Sequence, residues 1–79
     1  MKIRKNIATS DEGFIFNPAT GDSFSTNPIG AEIIALLKDD KSTDEIIAAI
    51  CEKYYVEEVQ FEKDLDDFVA QLKESSIME

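Results

Sequence analysis

Ser23-Phe24-Ser25-Thr26-Asn27-Pro28-Ile29-Gly30-Ala31-Glu32-Ile33-Ile34-Ala35-Leu36-Leu37 joins a short alternating segment directly to an apolar helix. The Asn27 side chain can accept from the first free backbone N–H groups of a helix, and Pro28 brings a φ already suited to the first helical position. Ile29, Ile33, Leu36 and Leu37 then recur at i, i+4, i+7 and i+8, which gathers them on one helical face. The stretch therefore reads as a strand running without a linker into a helix over 28–38. It contains no reactive side chain, which favours binding over catalysis.

Upstream, two more strand signals surround turn residues. Ile3-Arg4-Lys5-Asn6-Ile7-Ala8 alternates loosely, and Phe14-Ile15-Phe16 follows the turn formers Ser10-Asp11-Glu12-Gly13. Asn17-Pro18-Ala19-Thr20-Gly21-Asp22 is a second turn, so strands are expected at about 3–8, 13–17 and 22–26 as an antiparallel meander. Downstream, Ser42-Thr43-Asp44-Glu45 is a capping box that opens a helix over about 43–54. A third helix over about 58–74 turns Phe61, Leu65, Phe68, Val69 and Leu72 inward. The expected fold is α+β, a three-stranded antiparallel sheet followed by three helices, with the outline of a winged helix-turn-helix and residues 1–79 forming one domain. Its core is expected to draw on Ile3, Ile7, Phe14, Phe16, Ile33, Leu36, Leu37, Ile46, Ile50, Phe61, Leu65, Phe68 and Leu72.

Composition narrows the function. A chain of 79 residues buries only about 60% of the surface its unfolded form exposes, which leaves little room for a large catalytic cavity. With no His and one Cys, it lacks the usual zinc ligand sets, the usual general base and any internal disulfide, so no metal, cofactor or catalytic residue is expected. The lone cysteine fits a reducing, cytoplasmic setting. Cys51 lies between apolar neighbours and reads as a packing residue. No stretch approaches the ~20 apolar residues of a membrane span.

Charge is distributed unevenly. Residues 1–26 balance Lys2, Arg4 and Lys5 against Asp11, Glu12 and Asp22, so the whole net charge of -9 falls in residues 27–79. Such a surface repels phosphate backbones and anionic lipid and attracts basic partners. Asp64, Asp66 and Asp67 point in different directions on a helix and do not form the oxygen cage of a calcium site. The first strand carries Lys2, Arg4 and Lys5, charges that discourage unwanted pairing at an edge. Asp22-Ser23-Phe24-Ser25-Thr26 has no such guard, which suits either a strand too short to need one or an edge left open for a peptide.

Glu12-Gly13-Phe14-Ile15-Phe16-Asn17-Pro18, then Phe24 to Ile33, then Lys41-Ser42-Thr43-Asp44-Glu45-Ile46 and the helix from Phe61 to Ile77 resemble the PqqD-like family over nearly the whole chain. These modules are also called RiPP recognition elements. The resemblance implies a non-catalytic peptide chaperone. Such a chaperone captures the leader of a ribosomally made precursor peptide and presents it to a modifying enzyme, often a radical SAM enzyme. It also implies that the leader adds as a strand beside the third strand, in a groove walled by the third helix. By position that nominates Ser23, Phe24, Ser25 and Thr26, with Phe61, Asp64, Leu65 and Phe68 opposite. Two departures stand out: Thr26 replaces a larger apolar residue, and Ser75-Ser76 replaces the glycine that commonly ends the last helix. The alternatives are an acidic adaptor docking on a folded protein partner and a winged-helix nucleic-acid binder.

The second alternative conflicts with the third helix, where Glu57, Glu58, Glu62, Asp64, Asp66 and Asp67 face a single cation, Lys63, between residues 57 and 67. A gel shift with duplex DNA at moderate salt should show no retarded band; a retarded band that weakens steeply as salt rises would restore that reading.

Overall fold

A computed structural model describes residues 2–79. The elements are β1 (Ala8–Thr9), β2 (Phe14–Asn17), β3 (Asp22–Ser25), α1 (Pro28–Lys38), α2 (Thr43–Lys53) and α3 (Glu58–Glu74). The strands form one antiparallel sheet in the order β1-β2-β3, so β3 is an edge. Ile15 of β2 shares one buried core with residues of all three helices.

The helices begin where their caps place them. The Gly30 N–H donates to Asn27 Oδ1 at 2.8 Å with Pro28 inside the first turn of α1. Ser42 and Glu45 form the reciprocal capping box at α2, with the Ser42 N–H donating to Glu45 Oε1 at 2.9 Å. Those bonds to Ser42 hold the Glu45 carboxyl below its ordinary range. Because that depression favours the folded state above the ordinary carboxylate pKa, its contribution disappears as pH falls through the lowered value.

No helix ends in glycine, and two of them close in the same way. After α1, the Asp40 and Lys41 N–H groups donate to the Leu37 and Leu36 carbonyls, and Asp40 takes a φ of 59°. After α3, Ser76 does the same with a φ of 60°, its N–H donating to the Lys73 carbonyl while the Ile77 N–H donates to that of Leu72. Both ends are Schellman motifs with a polar residue in the left-handed position. At α3 the apolar contact that accompanies the motif is supplied by Leu72 and Ile77, both buried.

The sheet departs from expectation in two ways. The first strand is not at 3–8: the Ile7 N–H donates to the Arg4 carbonyl, which turns the chain there, and β1 is reduced to Ala8–Thr9. Ile3 and Ile7 are still buried, but Ile3 bridges Met78 near the chain's other end instead of joining β2. The second difference is the face of β2. Phe14 and Phe16 are 59% and 44% exposed, while Ile15, at 2%, enters the core beside buried Asn17. A run of three apolar residues has no alternation to say which face is inside, and Asn17 decides it by folding its side chain under the following turn, where Oδ1 accepts from the Ala19 N–H at 3.0 Å. The core comprises Ile3, Ile7, Ile15, Ile33, Ile34, Leu37, Ile46, Ile47, Ile50, Phe61, Leu65, Val69, Leu72, Ile77 and Met78. Leu36 and Phe68, expected within it, pack against it half-buried.

The junction of β3 and α1 is built around Thr26. Its N–H donates to the Gly13 carbonyl at 2.9 Å, which extends the β2–β3 ladder by one pair. Gly13 adopts a φ of 96°, and a Cβ there would lie 2.8 Å from the Thr26 carbonyl oxygen. On the other side, a Cβ on Gly30 would lie 2.8 Å from that of Thr26. Gly13→Ala therefore combines left-handed strain with a backbone collision and should cost about 1–3 kcal/mol. Urea denaturation measures it, and a midpoint equal to that of the unmodified protein would show that the junction yields without cost.

Candidate functional site

The phase of the sheet determines what β3 offers to solvent. In an antiparallel ladder the N–H and C=O of one residue point to the same side, and successive residues alternate. Since Thr26 bonds inward to Gly13, Phe24 and Asp22 also face β2, and the N–H and C=O groups of Ser23 and Ser25 point out from the edge. On the β1 side the Ser10 N–H donates to the Phe14 carbonyl at 3.0 Å, which agrees with that phase. Side chains alternate as well. Phe24 pairs with Ile15 and shares its inner face, whereas Ser23 and Ser25 pair with Phe16 and Phe14 on the outer face.

A groove of about 780 Å³ runs beside this edge, between the β3–α1 junction and α3. Its floor includes Ile15, Ile29, Ile33 and Ile77; Phe24, Ser25 and Thr26 form one wall, and Gln60, Asp64, Phe68 and Gln71 the other. In α3 each of those four residues immediately precedes a core residue: Phe61, Leu65, Val69 and Leu72. One step along a helix is about 100° of rotation. The same helix thus seals the core with one stripe and lines the groove with the stripe beside it. Phe61 and Leu72 lie on the boundary and serve both.

The residues nominated from the sequence separate accordingly. Phe24, Ser25, Thr26, Phe61, Asp64 and Phe68 come together around the groove. Ser23 is outside it and contributes its outward backbone groups to the edge. Leu65, at 1% exposure, is a core residue and does not line the groove. Sequence reasoning missed Gln60 and Gln71, which the one-residue offset from the apolar stripe would have revealed. It also missed Val56 and Ile77, which no local pattern marks.

Away from the groove, one ion pair links two helices. Lys53 of α2 pairs with Glu32 of α1, which, with the neighbouring Tyr54, holds the Glu32 carboxyl below and the Lys53 ammonium above their ordinary ranges. Among the described residues no group of three or more His, Cys, Asp or Glu side chains is placed to hold a metal, and no helix is long and apolar enough to cross a membrane.

Fold and groove together define an α+β module of winged helix-turn-helix outline with an edge strand, open on its outer side, bordering a cleft. The chain belongs to the PqqD family: the model described as coenzyme PQQ synthesis protein D matches residues 12–77. Two solved structures share the architecture. One, described as TbiB1 in complex with the TbiA(beta) leader peptide, is 33% identical with a TM-score of 0.93, over 100% of this chain and 95% of that one. The other, a lasso peptide synthetase B1 complexed with the leader peptide, is 28% identical with a TM-score of 0.81, over 98% and 93%. No curated protein sequence matches the chain.

The division between core and groove is measurable. Leu65→Ala should destabilise the fold by about 2–5 kcal/mol, as truncations of fully buried leucines do. Gln71→Ala, on the adjacent stripe, should change it by less than about 0.5 kcal/mol. Urea midpoints for the two variants provide the comparison, and equal losses would remove the distinction.

Proposed function

We propose that this protein is a leader-peptide-binding module, a RiPP recognition element, which captures the leader of a ribosomally synthesised precursor and presents it to a modifying enzyme. The observation that carries this reading is the outward backbone of Ser23 and Ser25 on an edge strand that borders an apolar groove. An extended peptide laid along β3 finds main-chain partners at those two residues. Its alternate side chains enter the groove against Phe24, Phe61 and Phe68. The two PqqD-like structures in complex with leader peptides support the same use of this fold and weigh against docking on a folded partner without a peptide.

The role is one of holding rather than converting. The chain has no histidine, and its one cysteine, Cys51, is half-buried on α2 and does not line the groove. Any chemistry on the precursor belongs to the partner enzyme, with a radical SAM enzyme one class that fits, and the setting is the cytoplasm, where precursor peptides are made. Main-chain bonds give affinity without reading sequence, so discrimination between leaders rests with the side-chain pockets.

Ser23→Pro and Ser25→Pro each delete an N–H that faces away from β2 and leave the β2–β3 ladder its donors. Both should weaken leader binding by about tenfold, the worth of roughly one main-chain bond, with little loss of stability. Titrating the cognate leader into isotope-labelled protein should shift resonances of residues 22–27 and α3. Shifts confined to β1 or α2 would sink the proposal.

A further inference from the structure

The groove is unevenly charged. Among the described residues its lining contains two charged side chains, Glu57 and Asp64, both acidic, and no Lys or Arg. They stand seven residues apart on the groove side of α3, about 10.5 Å along the helix. Neither carboxylate is committed to a cation. Glu57 occupies the N-cap of α3 without making a side-chain capping bond. Asp64 accepts at Oδ1 from Gln60 Nε2 at 3.1 Å, which steadies the carboxylate and leaves Oδ2 free. Toward the C-terminal half of α3 the polar lining becomes neutral, with Gln71 and Ser75. The groove is therefore acidic along one half of its helical wall and uncharged along the other, over a floor of isoleucine.

We infer that the occupant of this groove is a cationic, apolar strand in which a Lys or Arg lies on the same face as the apolar anchors, its head group drawn to the acidic stretch of wall that Asp64 and Glu57 make. This rests on the peptide-binding reading above and specifies which peptides it selects. Side chains on one face of a strand recur every ~6.6 Å, so a peptide whose anchor fills the space between Phe24 and Phe68 brings the next same-face residue alongside the α3 wall. A long basic side chain there can lay its methylenes on the apolar floor and its charge at the acidic rim. An acidic residue at the same position would meet two like charges with no compensating cation in the lining. Because both carboxylates remain solvated, the pair acts mainly on encounter rate and on the choice between peptides.

The test is selection from a displayed library of random 15-residue peptides on three proteins: the unmodified chain, the double variant Glu57→Gln/Asp64→Asn, and the control Glu62→Gln/Asp66→Asn. The control removes two charges from the same helix outside the groove lining. The expected result is enrichment of peptides with alternating apolar residues and Lys or Arg at a fixed offset from them, on the unmodified and control proteins. The groove variant should retain the apolar pattern and lose the fixed cation. An individual selected peptide should bind the groove variant about three- to tenfold more weakly at low salt, with the difference closing as salt rises. Apolar enrichment without a cation preference, or a preference that survives in the groove variant or disappears in the control, overturns the inference and leaves the groove reading intact. No enrichment on any of the three proteins overturns both.

Discussion

One backbone hydrogen bond, from the Thr26 N–H to the Gly13 carbonyl, sets the geometry on which the groove depends. It fixes the phase of the β2–β3 ladder, and the phase decides which N–H groups of β3 are satisfied and which are offered outward. A shift of one residue would point Phe24 to solvent and turn the Ser23 and Ser25 backbones toward β2, exchanging the roles of every group on the edge. Thr26 is held in place because Gly13 and Gly30 present bare backbone on its two sides. The Thr26 hydroxyl donates to the Asn27 carbonyl at 2.8 Å, which ties the end of the strand to the cap of α1. Threonine at this position thus serves the junction as well as lining the groove.

The helices were legible in the sequence because their ends are written in local chemistry. Asn27-Pro28 and Ser42 with Glu45 satisfy free N–H groups by side chains a few residues away, and such signals depend little on the rest of the chain. The strands were harder. Phe14-Ile15-Phe16 is apolar at all three positions, so period-two reasoning had nothing to distinguish the faces, and burial of the larger rings was the wrong choice. Ile3 and Ile7 were correctly placed in the core but for a different reason: a turn and a bridge to Met78, a partner 75 residues away, in place of a strand. Most of the candidate site was visible as a region, between the third strand and the third helix. Leu65 was misassigned because helical periodicity identifies an apolar stripe without saying where core ends and rim begins.

The third helix resolves a difficulty that a chain of this size faces. A small domain must commit most of its large apolar residues to its own core, yet a binding groove needs apolar surface kept exposed. Here the rows at Phe61, Leu65, Val69, Leu72 and at Gln60, Asp64, Phe68, Gln71 divide the work, and only one residue of the second row is a large hydrophobe. The floor of the groove is the upper surface of the core itself: Ile15, Ile33, Phe61, Leu72 and Ile77 are at once buried and accessible from the cleft. The apolar surface that supports the fold thus doubles as the bed of the cleft.

The bridge between Ile3 and Met78 is reinforced on both sides, by the Arg4 N–H donating to the Ile77 carbonyl and the Glu79 N–H donating to the Lys2 carbonyl, each at 2.9 Å. The two ends of the described chain therefore leave the molecule at one corner as a paired stem. A domain with such a stem can be spliced into a loop of a larger protein, or have its ends joined and new ones opened in the exposed turn between α1 and α2, without pulling the groove walls apart.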